Sequence, residues 1–352
     1  MENIQLLDAT LRDGGQGLED AYRNKIDAGE FSDFQVKSII NDLQDSRIEI
    51  IELGSMKITD EVLIKYNVFK GIEQVSTLIP KNQFGNNPFF VALYNGPDTP
   101  YDDIPEWHPG LCQGVRLIIR YSEIDKSLQF CEMLSSKGYS VFIQPMLTMR
   151  YTDEELEKIV NSANKMNAYA LYIVDSYGYM MPSDIARIYK FYNKRLKPNI
   201  RIGFHSHNNM NLAFSNTLSF IEHATSRNII VDSTIIGMGQ GSGNVQTELL
   251  TYYMNEHYGK NYQYNPILDA CEIIETFLNP SIWGYSVTRL LPAIHKTAYK
   301  YAISLRNYYH LSLVQINDLF SHMPNDMRHR YTEENVILLL KSNGYKLEEM
   351  RN

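Results

Sequence analysis

Cysteine is scarce in this chain: Cys112, Cys131 and Cys271 are odd in number, widely spaced and without a CxxC pair. That pattern fits reduced core thiols in a cytoplasm better than a disulfide framework. No apolar run reaches the length of a membrane span, and Met1-Glu2-Asn3-Ile4 lacks the basic-then-apolar start of a secretion signal. Basic stripes are missing as well. The net charge is -8, which favours solubility and argues against nucleic acid as a partner. Neither a short internal repeat nor a low-complexity tract is visible. What remains is ordinary for a soluble globular protein: 352 residues, 44% hydrophobic and 21% charged, enough for one large domain and a smaller one.

Short apolar runs alternate with longer amphipathic ones from residue 4 to about residue 250. Strands are expected at Ile4–Leu7, Ile48–Leu53, Val115–Ile119, Val141–Ile143, Ala170–Val174, Ile200–Phe204 and Ile229–Ile236. The third strand is either Val75–Ile79 or Phe89–Leu93, in a loop-rich stretch that carries six prolines over residues 80–112. Helix starts are legible at Thr152-Asp153-Glu154-Glu155 and Pro182-Ser183-Asp184. Eight strands separated by helices predict a (β/α)₈ TIM barrel over residues 1–265, with an open doubly wound sheet as the rival. Residues 17–35 read as a long polar connection, either a lid or surface decoration. Residues 266–352 read as a helical C-terminal domain with helices at Ile267–Leu278, Arg289–Ile303, Leu313–Phe320 and Glu333–Leu340.

Two histidines, His205 and His207, stand one residue apart at the end of the seventh strand. Strand side chains alternate, so both point the same way and can hold one metal ion. In a barrel the active residues gather at the C-terminal strand ends. Those ends supply Asp8 and Arg12-Asp13 after strand one, Glu52, Arg120, Gln144, and Asp175-Ser176. A glycine-rich loop follows strand eight and leads to Asn244; it is a phosphate cradle or, preferably, a turn that brings Asn244 near the metal. One carboxylate and two imidazoles leave positions open for a divalent ion and a chelating 2-oxo acid. Spacing alone leaves Asp13 and Asp8 both open as the carboxylate.

Arg12-Asp13 in TLRDG, Glu52 in IIELG and the HSHNN pair resemble the DRE-TIM metallolyases. This superfamily contains 4-hydroxy-2-oxovalerate aldolases, isopropylmalate and homocitrate synthases, and hydroxymethylglutaryl-CoA lyase. LYIVDSYG, VDSTIIGMGQGSGNVQTELL and WGYS extend the resemblance over most of the chain, toward the aldolase branch and the aldolase-catalytic-domain proteins of bacterial polysaccharide gene clusters. The resemblance implies a divalent metal, Mn²⁺ before Mg²⁺, Co²⁺ or Zn²⁺, bound by Asp13, His205 and His207. It also implies Arg12 as enolate stabiliser, Glu52 as an acidic neighbour, Ser176 as a substrate contact and Asn244 at the metal shell. The C-terminal domain would then be an oligomer interface or a dock for a dehydrogenase partner.

The sequence departs from that pattern in its proton-transfer residues. Gln16 stands where the aldolases carry a catalytic histidine, Arg289 where they carry a tyrosine, and Arg120 where a histidine is common. Glutamine is no base, so Glu52, Tyr285, Tyr22 or a metal-bound water would have to serve. The added arginines suggest a more anionic substrate, with Arg120, Gln144, Arg289 and Tyr285 as its contacts. The tyrosines after Trp283, Tyr299 among them, read as core or interface residues. The expected activity is cleavage or formation of a carbon–carbon bond between a 2-oxo acid and an aldehyde. The alternatives are Claisen-type acyl transfer or a metal-binding scaffold without turnover.

Overall fold

The structure, a computed structural model, describes residues 3–61, 63–81, 88–224, 227–279 and 284–345. Eight parallel strands form the barrel: β1 Ile4–Asp8, β2 Ile50–Met56, β3 Phe89–Tyr94, β4 Gly114–Ile119, β5 Ser140–Pro145, β6 Ala170–Asp175, β7 Arg201–Ser206 and β8 Ile229–Ser233. Each pairs with its sequence neighbour, and β1 pairs with both β2 and β8, so the sheet closes on itself. Closure excludes the open doubly wound alternative. The third strand is Phe89–Tyr94; Val75 falls instead in a short helix, α3 (Ile72–Ser76).

The barrel interior is a packed core at its N-terminal end, where Phe142 stacks on Tyr169 with ring centroids 4.6 Å apart. Buried charge enters the interior midway along the strands at Glu52, Arg116 and Asp232, and the candidate site lies at the C-terminal end, where barrels of this architecture place their chemistry. Around the strands lie α1 (Gly15–Arg23), α2 (Asp33–Asp45), α4 (Ile124–Ser136), α5 (Asp153–Met166), α6 (Pro182–Arg195), α7 (Ala213–His223), α8 (Thr247–Tyr258) and α9 (Tyr264–Glu275). Helix α5 begins with a complete capping box in which Thr152 and Glu155 satisfy each other's backbone N–H groups. Helix α1 occupies part of the stretch expected to be a polar connection, burying Leu18 and Ala21.

Helix α9 buries Ile267, Ala270 and Ile274 in the barrel's own hydrophobic core. A separate core begins at Leu291 and joins α10 (Val287–Ile294), α11 (Tyr299–Asn307), α12 (Leu313–Ser321), α13 (Asn325–Arg328) and α14 (Glu333–Ser342). Leu278 still packs on the barrel core, and Leu291 belongs to the second. The single helix expected over Arg289–Ile303 is two, because Lys296 takes a left-handed φ of 51° between them. No helix among the described residues is long and apolar enough to cross a membrane.

Candidate metal centre

The chain leaves β1 through one buried π-helical turn, Thr10–Gly14, which runs straight into α1. Such turns, rare elsewhere, recur at functional sites. Here the turn carries Arg12 and Asp13 to the barrel mouth. Gly15 is needed because a Cβ there would lie 2.2 Å from the Tyr66 carbonyl oxygen. Opposite, His205 is the last residue but one of β7 and His207 follows the strand, held by an antiparallel bridge to Asn244 in the loop after β8.

Asp13, His205 and His207 bring one ligand atom each to within 4.8 Å of one another, all three buried. The two Nε2 atoms are 3.3 Å apart, and each lies 3.9 Å from Asp13 Oδ2. Their outer nitrogens are already committed. His205 Nδ1 lies 3.0 Å from Asp232 Oδ2 and His207 Nδ1 lies 3.2 Å from the Gln240 carbonyl oxygen. Donation from Nδ1 leaves each Nε2 lone pair for an ion, the usual arrangement around ligating histidines. Burial pushes both imidazoles below their ordinary range, His205 the more strongly and with Arg12 as the next cause. Burial would raise the Asp13 carboxyl, but Arg12 and the two histidines outweigh it and hold it below the usual range. Neutral imidazoles and an ionised carboxylate are the protonation states a divalent cation requires. Asn244 adds a buried Oδ1 without a hydrogen-bond partner among the described residues, while its Nδ2 donates to Asp13 and to Met238 O. The residues present fit a divalent ion.

Behind these three residues runs a closed circuit of buried charge. Arg12 Nη1 donates to Asp13 at 2.9 Å and Arg12 Nε to Glu52 Oε2 at 2.8 Å. Glu52 also accepts from Arg116 Nη1 at 2.5 Å; Arg116 donates through Nη2 to Asp232, which returns to His205. Arg116 is 0% exposed, with its guanidinium carbon 4.8 Å from the centre of the Tyr172 ring. Burial alone would lower its pKa; Asp232 and Glu52 outweigh that and raise it. Sequence reasoning missed Arg116 and Asp232. The available signal was an arginine within the apolar run Gly114–Ile119, costly to bury unless paired.

The cavity at this centre has a volume of about 120 Å³. Arg12, Asp13, Gln16, Gln144, Ser176, His205 and His207 line it. Gln16 is tied to Arg12 and to Asn95 Oδ1. With its amide oxygen toward Arg116, Gln144 accepts from Nε and Nη2 at 3.1 Å and links the charge circuit to the cavity. Ser176 Oγ accepts from the Leu147 backbone at 2.9 Å, so the turn role weighed for it is present beside the cavity position.

Other expected contacts lie elsewhere. Glu52 stands behind Arg12 and is absent from the lining. Arg120 pairs with Asp98 and Glu123 outside the cavity. Tyr285 and Tyr22 are each 54% exposed, and Arg289 lines a neighbouring chamber. Asp8 caps Thr10 and Thr247 and takes no part in the donor set. Trp283 of the WGYS motif lies outside the described residues. Two tyrosines line the metal cavity: Tyr177, whose hydroxyl donates to His329 O, and Tyr299, at the start of α11, whose hydroxyl is bonded to Asp20. No spacing signal identified Tyr299, because α11 meets the barrel only in the folded chain.

A closed parallel barrel with Asp, His and His gathered at its C-terminal mouth, and a buried arginine beside the carboxylate, is a TIM barrel with a candidate divalent-metal centre. Residues 119–277 match the HMGL-like family model. Curated relatives include 4-hydroxy-2-oxovalerate aldolases from Geobacillus genomosp. 3, 27% identical over 70% of this chain and 69% of that protein, and from Thermomicrobium roseum, 27% identical over 77% and 70%. Among solved structures, the N-terminal domain of a Bacteroides vulgatus protein described as an aldolase superposes with a TM-score of 0.72, at 23% identity, over 89% of this chain and 99% of that one. A Bacillus subtilis HMG-CoA lyase superposes with a TM-score of 0.60, at 15% identity, over 80% and 96%. The HMGL-like match, the aldolase relatives and the HMG-CoA lyase fold together support placement of the chain in the DRE-TIM metallolyase superfamily.

Proposed function

We propose that the protein is a divalent-metal-dependent carbon–carbon lyase of the aldolase type, acting on a 2-oxo acid. The observation that carries this reading is the buried Asp13–His205–His207 donor set with Arg12 bonded to its carboxylate. Asp13, His205 and His207 would hold a divalent ion, Mn²⁺ first, which when bound would supply Lewis acidity to a 2-oxo acid. Arg12 places a fixed positive charge beside the oxygen on which negative charge develops, and Glu52 fixes its orientation. The aldolase names of the relatives support the reaction class.

Gln16 has no basic atom, and Tyr299 is the group in the cavity with a proton path. Burial, then Asp20, raise the Tyr299 pKa well above its ordinary value, so the proton stays on the phenol until it can be passed on. In the cleavage direction the substrate hydroxyl gives its proton to Tyr299 as the phenol proton moves to Asp20. The carbon–carbon bond then breaks to release an aldehyde, and the proton returns from Asp20 through Tyr299 to the enolate carbon, giving the 2-oxo acid. Addition is the reverse.

Incubation of the Mn²⁺-loaded protein with pyruvate in D₂O should exchange the methyl protons, followed by NMR. The Y299F variant should bind Mn²⁺ normally yet exchange about 10²–10⁴-fold more slowly. No exchange with metal bound counts against pyruvate-enolate chemistry, and release of thiol from an acyl-CoA would favour acyl transfer instead.

A further inference from the structure

The metal cavity, at about 120 Å³, is small beside the roughly 300–1,000 Å³ of sites that enclose a whole small-molecule ligand. It does not stand alone. A second chamber of about 400 Å³ shares Gln240 and Tyr299 with it as a common wall. Helix α1, the loop Gly239–Gly241 and helices α10 and α11 bound this chamber. Its charged lining consists of Arg289, half-buried, Arg306 at the exposed rim, and Asp20.

Asp20 is already matched. It accepts from Lys300 Nζ at 2.8 Å, from Gln240 Nε2 at 2.7 Å and from the Tyr299 hydroxyl. Two guanidiniums set against one carboxylate that Lys300 already neutralises leave the chamber electropositive. Ser286, Thr288 and Asn307 add neutral hydrogen-bonding groups to the lining. Burial lowers the Arg289 pKa, which reports a desolvated cation that an entering anion would favour. Guanidinium recognises carboxylate and phosphate through paired N–H groups.

We propose that this second chamber binds the far end of the aldehyde partner, and that this end carries an anionic group, phosphate or carboxylate. The inference deepens the proposed function and rests on it for the identity of the partner as an aldehyde; binding of the anion itself needs no turnover. In the addition the new bond joins C3 of the 2-oxo acid to the aldehyde carbon. A C3 proton leaves, the aldehyde oxygen gains a proton, and the anionic group is a spectator held away from the metal.

Calorimetric titration of the full-length protein, metal-free and Mn²⁺-loaded, with glyceraldehyde 3-phosphate, succinic semialdehyde and butyraldehyde tests this. At least one anionic aldehyde should bind about tenfold or more tightly than butyraldehyde, with or without metal. The stronger of the two identifies phosphate or carboxylate. R289M and R306M should each remove most of that preference. Arg306 is exposed, so R306M remains readable if R289M folds poorly. Equal binding of charged and neutral aldehydes, or a preference that survives R306M, overturns the inference. Failure of pyruvate exchange with the anion preference intact sinks the enolate reading and leaves the chamber standing.

Discussion

Arg116 reaches none of the metal-ligating atoms, yet its two ion pairs connect Arg12's partner to His205's partner. Removing one member of a buried ion pair strands the others without solvent. R116M should lower unfolding free energy in urea by about 3–5 kcal/mol, and adding E52Q should recover part of it. Full independence of the two changes would show that the circuit is not coupled. Asp8, also fully buried, shows the opposite balance: burial pushes its carboxyl up to about 6 despite donors from Thr10 and Thr247. An acid whose folded pKa is raised stabilises the fold fully below its unfolded value near 4, and that contribution is lost as pH rises through 6. The stability of the native protein relative to D8N should therefore fall between about pH 4 and about pH 7. A pH-independent difference in urea unfolding would refute the assignment. Spacing left Asp13 and Asp8 both open, but at this scale the two histidines of the donor set were legible in the sequence because they share a face at a strand end. Arg116, Asp232 and Tyr299 were not: each acts through partners dozens to hundreds of residues away, and local spacing is silent about them.

Two short elements aim the site. The π-helical turn after β1 turns Asp13 inward, and the loop after β8 folds back so that Asn244 meets both Asp13 and the strand of His207. That loop depends on Gly243, which has a φ of 78° and would place a Cβ 1.9 Å from the Gly237 carbonyl oxygen. G243A should cost about 1–3 kcal/mol of stability. It should also weaken Mn²⁺ binding in calorimetric titration; unchanged affinity would mean that Asn244 does not support the site. Helices with strong local signals, such as α5 with its Thr152–Glu155 capping box, were readable in advance. Helix α1 was not, because the preceding turn nucleates it and no side-chain cap marks its start. The break between α10 and α11 escaped for a similar reason: Lys296 in a left-handed conformation carries no glycine signature.

The molecule joins two hydrophobic cores across a polar seam. From the C-terminal helices Tyr299 and Lys300 bond to Asp20 and Tyr308 to the Asn24 carbonyl, while the Tyr177 hydroxyl of the barrel donates to His329 O. All three metal-binding side chains come from the barrel, and Tyr299 comes from beyond it. A chain ending at Asn279 keeps every residue of the barrel core. It should bind Mn²⁺ as the intact protein does yet lose pyruvate methyl exchange in D₂O. Exchange at the full rate would remove the C-terminal helices from the chemistry.

Closure of the sheet and the choice of Asp13 over Asp8 needed the fold; the sequence by itself determined the alternating strands and the His205–His207 pair at their functional end. Those features rest on short-range periodicity and on the rule that parallel barrel strands share one functional end. Only the tertiary structure decided which charges stand behind the ligands, that Tyr299 rather than Tyr285 reaches the cavity, and that Arg289 and Arg306 face a separate chamber. Those outcomes depend on how the second core docks against α1, a packing of distant surfaces that no local pattern encodes.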